Sequence, residues 1–181
     1  MQRALPTCLA LVLLAGCGSD GDDETDRAET TPGATRTAVF ESGRIPFTFE
    51  YPKGFAAERR PRERVLARVG VERGARMNAI KVRRTARREL GPERYLDEFQ
   101  RDFERTVGTV GQREERIGDR EMGVLEFTDT VERAGGTVEF TSASYFFAGA
   151  GQTWQIECIA DAEHRAEVEA ACRDALESVA F

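Results

Sequence analysis

Residues able to carry acid–base or nucleophilic chemistry are few. The 181-residue chain has one histidine, His164, and four cysteines, Cys8, Cys17, Cys158 and Cys172. A histidine-based triad needs a positioned nucleophile and an orienting acid. Around His164 stand only Glu163, Arg165 and Glu167, a setting that predicts a solvated surface histidine near a helix start. Neither GxxxxGK[ST] nor GxGxxG occurs, so no phosphate cradle of those kinds is expected. Carboxylates are the remaining resource. Glu93, Asp97, Glu98, Asp102 and Glu104 crowd one stretch, where pairs four apart suit a metal or acid–base work. Arg94, Arg101 and Arg105 interleave with them, and a wet face laced with salt bridges is the preferred reading. Asp20, Asp22, Asp23, Glu24 and Asp26 are dense enough to raise calcium. The EF-hand spacing, with its internal glycine and terminal glutamate, is absent. No catalytic residue, metal or cofactor is assigned, and the expectation is a non-enzyme.

Charge gives one further feature. Arg59 to Arg88 contains twelve basic residues against two acids, Glu63 and Glu72. Beside a membrane such a patch would lean on anionic headgroups, at about 1 kcal/mol per base near the surface. The preferred alternative is that alternating strand positions display arginine outward and the acidic helix that follows compensates. From Arg36 onward 24 basic residues face 26 acidic ones. A body so near neutral points to no nucleic-acid partner.

The N-terminus sets the context. Arg3 is the only charge among the first nineteen residues, and the chain from Ala4 to Ala15 is mostly apolar. This run is too short for a hydrocarbon core of about 30 Å, and it suits the apolar region of a signal peptide. It ends in Leu14-Ala15-Gly16-Cys17, which resembles the lipobox of bacterial lipoprotein precursors. The resemblance implies that residues 1–16 are a cleaved signal peptide. It also implies that Cys17 carries fatty acyl chains such as palmitate, and that the protein is anchored in the cell membrane on its extracytoplasmic face. Two or more chains anchor stably where one does not. A soluble secreted protein with a chance cysteine at position 17 is the alternative. Residues 17–37 then read as the lipidated cysteine and an acidic tether. Gly18 to Arg36 has no apolar residue larger than alanine and too little to bury to offset ordering. Its flexible span is about 25 Å.

Residues 38–181 read as the globular body. Phe47, Phe49 and Tyr51 alternate as in a strand that stops at Pro52-Lys53-Gly54. Val65–Val71 and Met77–Val82 read as two more strands joined around Arg73-Gly74. Pro92 suits a first helical position, and Tyr95, Leu96, Phe99, Phe103 and Val107 form one helix face closed by Gly108. Arg113–Ile117, Met122–Val131, Thr137–Phe147 and Thr153–Ile159 follow as strands. Their glycine turns at Gly118-Asp119, Gly135-Gly136 and Gly149-Ala150-Gly151 predict antiparallel hairpins. A last helix is expected from Ala162 to Ser178, with Asp161 as N-cap and a buried stripe of Val168, Cys172, Ala175, Leu176 and Val179. The order predicts an α+β fold in one domain, a mostly antiparallel sheet packed by helices.

With Cys8 removed and Cys17 acylated, Cys158 and Cys172 remain. Cys158 shares a strand face with Trp154 and Ile156, and Cys172 lies on the apolar stripe of the next helix, one tight turn away. Outside the cytoplasm such a pair is a disulfide candidate; two buried free thiols are the other reading. Pairing them leaves a zinc site almost no ligands.

Phe47-Thr48-Phe49-Glu50-Tyr51-Pro52-Lys53-Gly54-Phe55 resembles the opening strand and turn of the PsbP-like family, which includes small lipoproteins of the LpqN type. Trp154-Gln155-Ile156-Glu157-Cys158, a helix and Ser178-Val179-Ala180-Phe181 resemble its closing strand and helix. Over residues 43–181 this implies an α-β-α sandwich used for binding and assembly, with no catalytic residues and no particular partner to carry over. Two functions are expected from these readings. The first is a non-catalytic binding or assembly module on the membrane. The second is a carrier of an apolar ligand, a lipid or envelope glycolipid, held between sheet and helix by Phe99, Phe103, Phe140, Tyr145, Phe146, Phe147 and Trp154.

Overall fold

The computed structural model describes residues 37–61 and 64–181. Leu14, Ala15, Gly16 and Cys17, and the tether up to Arg36, lie outside the described residues. Nine strands and two helices follow in order: β1 (Thr37–Phe40), β2 (Phe49–Pro52), β3 (Ala56–Glu58), β4 (Ala67–Gly70), β5 (Ala79–Ala86), α1 (Pro92–Val107), β6 (Gly111–Ile117), β7 (Arg120–Arg133), β8 (Gly136–Gly149), β9 (Gln152–Asp161) and α2 (Arg165–Glu177). Seven of the strands form one sheet in the order β3-β4-β5-β9-β8-β7-β6, and β1 and β2 pair separately. Every pairing is antiparallel. The glycine turns work as the sequence implies: Gly118, Gly136 and Gly151 take positive φ, which glycine adopts without a Cβ clash.

Alternation along each strand divides the sheet into two faces. On one, Val82, Ile156, Cys158, Tyr145, Phe147 and Val124 pack with Val168, Ala171, Cys172, Ala175 and Leu176 of α2. The β1–β2 pair and the segment leading into β2 complete this layer: Phe47 meets Phe147 and Trp154 edge-on, with ring centroids 5.6 and 5.4 Å apart. On the other face Leu125 and Phe146 pack with Tyr95 and Leu96 of α1. Gly123 permits this close approach, because a Cβ there would stand 3.1 Å from both Leu96 Cγ and the Pro92 carbonyl.

The two segments that carry the family resemblance are bonded to each other. Thr48 and Ala180 exchange backbone hydrogen bonds of 2.8 and 3.0 Å, and the Ser178 hydroxyl accepts the Glu50 N–H at 2.8 Å. The closing residues after α2 therefore tie down the opening strand. Among the described residues no helix is long and apolar enough to cross a membrane.

Three expectations need correction. β1 and β3 were not anticipated, and β1 begins at Thr37, inside the range assigned to the tether; strands of three or four residues are too short to display a period. α2 starts at Arg165 rather than Ala162. Asp161 does not cap it: its carboxylate accepts the His164 N–H at 3.0 Å and holds the turn that precedes the helix. His164 is not simply solvated. Its Nδ1 lies 2.9 Å from Asp161 Oδ1 and 3.1 Å from Asn78 Nδ2. The Asp161 hydrogen bond raises the histidine above its ordinary value. Burial pushes the Asp161 carboxyl up, but the Asn78 and His164 bonds outweigh it and hold it low.

Candidate functional site

α2 covers β9 and β5, and Ile117 and Val124 of the outer strands are buried in the same cluster. Between its flank and β6–β8 lies a cleft of about 250 Å³. Its floor is the bonded pair Cys158–Cys172, with Cα atoms 6.1 Å apart, and Tyr145 from β8. Its wall is a relay of charges across three elements. Arg113 Nη1 on β6 donates to Glu126 Oε2 on β7 at 2.6 Å, and Arg113 Nη2 lies 3.3 Å from Glu115 Oε2. Glu115 Oε1 in turn accepts from Arg173 Nη1 on α2 at 2.8 Å. On the opposite rim Arg165 reaches Glu139 at 3.8 Å, and its Nε has no acceptor.

These contacts decide what the cleft can do. Burial, reinforced by Glu115, raises the Tyr145 phenol above its ordinary value, so it stays protonated at neutral pH. The Arg173 guanidinium is raised chiefly by its bond to Glu115. For Arg113 burial lowers the value, but the Glu126 bond outweighs it and the net is a rise. The cleft therefore presents fixed charges and a phenolic hydroxyl along an open groove. It suits a polar partner surface, where complementary charges set register and specificity.

The other sequence-singled residues fall elsewhere. The carboxylates of α1 are on its exposed face: Asp102 pairs with Arg105 at 3.2 Å, and Glu104 accepts from Gln100 at 2.7 Å. No group of three or more metal-binding side chains gathers among the described residues. All the singled aromatic residues except Tyr145 are in ring contact with other aromatic side chains. Tyr95 stacks with Phe99 and with Phe146 at 4.3 Å each, and Phe127 contacts both Phe103 and Phe140. In the Arg59–Arg88 region Arg88 pairs with Glu98 of α1 at 3.8 Å. The sheet itself compensates the deeper bases: Arg68 lies 3.7 Å from Glu58, and Lys81 and Arg83 share Glu157 at 3.5 and 2.5 Å. Neither this shared carboxylate nor the cleft was legible from sequence. Arg113 and Arg173 sit in ordinary charged stretches, and only the pairing of β6 with β7 beside α2 brings them together.

No protein-family model and no curated protein sequence matches the chain. Solved structures do. A protein of Bacteroides thetaiotaomicron superposes with a TM-score of 0.51 at 7% identity over 74% of this chain, and the chain spans only 44% of that protein's length. The cyanobacterial PsbP of Synechocystis sp. PCC 6803 gives 0.50 at 12% identity, over 83% of this chain and 95% of its own. LpqN of Mycobacterium tuberculosis, described as involved in cell envelope biogenesis, gives 0.48 at 8% identity, over 79% and 90%. Identities this low speak to the fold alone. That fold, a mostly antiparallel sheet with two helices packed on it in a single domain, is similar to the PsbP-like fold.

Proposed function

We propose that the chain is a membrane-anchored extracytoplasmic lipoprotein that acts as a non-catalytic binding or assembly module, with the cleft beside α2 as its docking surface. The observation that carries the reading is the Glu126–Arg113–Glu115–Arg173 relay. It places paired charges and a phenol along one groove. A disulfide supports the extracytoplasmic setting, since such bonds persist in oxidising compartments. Leu14-Ala15-Gly16-Cys17 supports the anchor. Six of the seven aromatic residues that suggested an apolar carrier are in ring contact with other aromatic side chains, which favours the docking reading over that alternative.

A photo-crosslinking residue placed at Glu169, on the cleft rim, tests the assignment in intact cells. A discrete protein adduct is expected, weakened when Arg173→Glu is introduced and absent when the crosslinker is moved to Asp119. Equal adducts from Glu169 and Asp119 would remove the cleft as the docking surface.

A further inference from the structure

A second surface, independent of the cleft, lies at the other edge of the sheet. Among the described residues, Arg59, Arg60, Arg68, Arg73 and Arg76 line one groove of about 800 Å³ together with the carboxylate of Glu58. Arg59 and Arg60 also line the adjoining depression, with Arg44 and Glu41. Glu58 is already engaged. Its Oε1 accepts the Gly74 N–H, and its Oε2 is 3.7 Å from Arg68 Nη1, too long for a hydrogen bond.

Arg68 is the informative member. Its side chain is only 7% exposed, and its Nε has no acceptor. A buried guanidinium N–H left without an acceptor is costly, and the Glu58 carboxylate at 3.7 Å compensates the charge without accepting that N–H. The register adds to that cost, since Arg68 stands directly opposite Lys81 and like charges opposite one another in a sheet repel. Basic residues do protect sheet edges from pairing with other chains, and exposed Arg59, Arg60 and Arg73 fit that role. A buried arginine one strand in does not. An anion with several acceptor oxygens would satisfy Arg68 and draw in the exposed Arg59, Arg60 and Arg73. Guanidinium forks recognise such an anion through paired hydrogen bonds.

We propose that this groove is a binding site for a phosphate-type oxyanion, with Arg68 as the buried ligand and Arg59, Arg60 and Arg73 closing around it. The phosphate belongs either to an anionic lipid headgroup or to a free phosphate-bearing molecule. The test is calorimetric titration of the full chain in neutral maltoside micelles at constant ionic strength. Inorganic phosphate is used in one arm and short-chain phosphatidylglycerol in the other, with chloride as control. Binding of inorganic phosphate marks a free-phosphate site, and binding of the lipid alone marks a headgroup site. In either case Arg68→Gln is expected to weaken binding about tenfold or more, the loss of a charge-assisted pair. The exposed double variant Arg59→Gln/Arg60→Gln should weaken it comparably and guards against misfolding of the buried one. Arg116→Gln, on β6 at the opposite edge, should leave it unchanged. Absence of heat in both arms, or equal affinity in all variants, overturns the proposal.

Discussion

Glu157 on β9 is the one carboxylate between two cations of β5. Arg83 Nη1 and Lys81 Nζ approach its Oε2 at 2.5 and 3.5 Å, and the Ser142 hydroxyl donates to its Oε1 at 3.3 Å. The side chains are 14% exposed for Glu157, 10% for Lys81 and 28% for Arg83. Burial pushes the Glu157 carboxyl up, but Lys81 and Arg83 together outweigh it and hold it below the usual carboxylate range. Burial pulls the Lys81 ammonium down; Glu157 raises it, Arg83 and Arg68 oppose that, and the net is a depressed value. The asymmetry follows from one anion serving several cations. Glu157→Gln keeps the shape and removes the charge, leaving Lys81 with no counter-ion in the sheet. Breaking a buried pair costs about 3–5 kcal/mol, and the partial exposure of Arg83 argues for the lower end, about 3 kcal/mol. With an unfolding entropy of about 2.1 cal/mol/K per residue over a body of roughly 145 residues, that lowers Tm by about 10 °C. Urea unfolding of the full chain in neutral micelles, followed by the fluorescence of buried Trp154, measures it. The pH dependence is distinctive. A depressed carboxyl contributes stability that is present above the unfolded value, 4.5, and lost as pH falls through the folded one. The gap between wild type and Glu157→Gln is therefore full at neutral pH and closes in acid. The triple variant Lys81→Met/Arg83→Met/Glu157→Leu should return to within about 2 kcal/mol of wild type. A Glu157→Gln protein within about 1 kcal/mol of wild type at neutral pH, or a gap that does not change into acid, would refute the reasoning.

Two further outcomes are expected. The Cys158–Cys172 bond links residues 14 apart in sequence, so reduction should lower stability by about 3 kcal/mol in the chain-entropy model; urea midpoints with and without reductant check this, and free thiols at Cys158 and Cys172 in the unreduced, unfolded mature protein would rule the bond out. If Cys17 is acylated, the wild-type protein enters the detergent phase of a Triton X-114 separation and Cys17→Ala stays in the aqueous phase; identical partitioning would end the lipoprotein reading.

The strands and helices of the body were largely readable because their signals are local. Gly118, Gly136 and Gly151 mark turns that need positive φ. Tyr95, Leu96 and Phe99 recur at helical spacing. Trp154, Ile156 and Cys158 alternate. The missed strands, β1 and β3, are too short for alternation to register. The helix start was misplaced because Asp161 closes a turn before the helix rather than capping it, and both roles use the same residue type.

Local pattern also identified which side of a strand is apolar, and from it that Cys158 faces the helix carrying Cys172 one turn later. It did not identify which strands are neighbours. A backbone ladder is chemically the same whatever strand supplies it, so nothing in the residues around Lys81 announces that β5 pairs with β9. That pairing brings Glu157 to Lys81 across 76 positions, just as β6 beside α2 brings Glu115 to Arg173. Alternation alone puts Lys81 and Arg68 on a polar face, with solvent as the natural expectation. The assembled sheet buries both. The sequence by itself determined the longer elements, their apolar faces and the candidate cysteine pair; the tertiary structure alone decided which charges meet, because burial and counter-ions belong to neighbouring strands rather than to the strand that carries the charge.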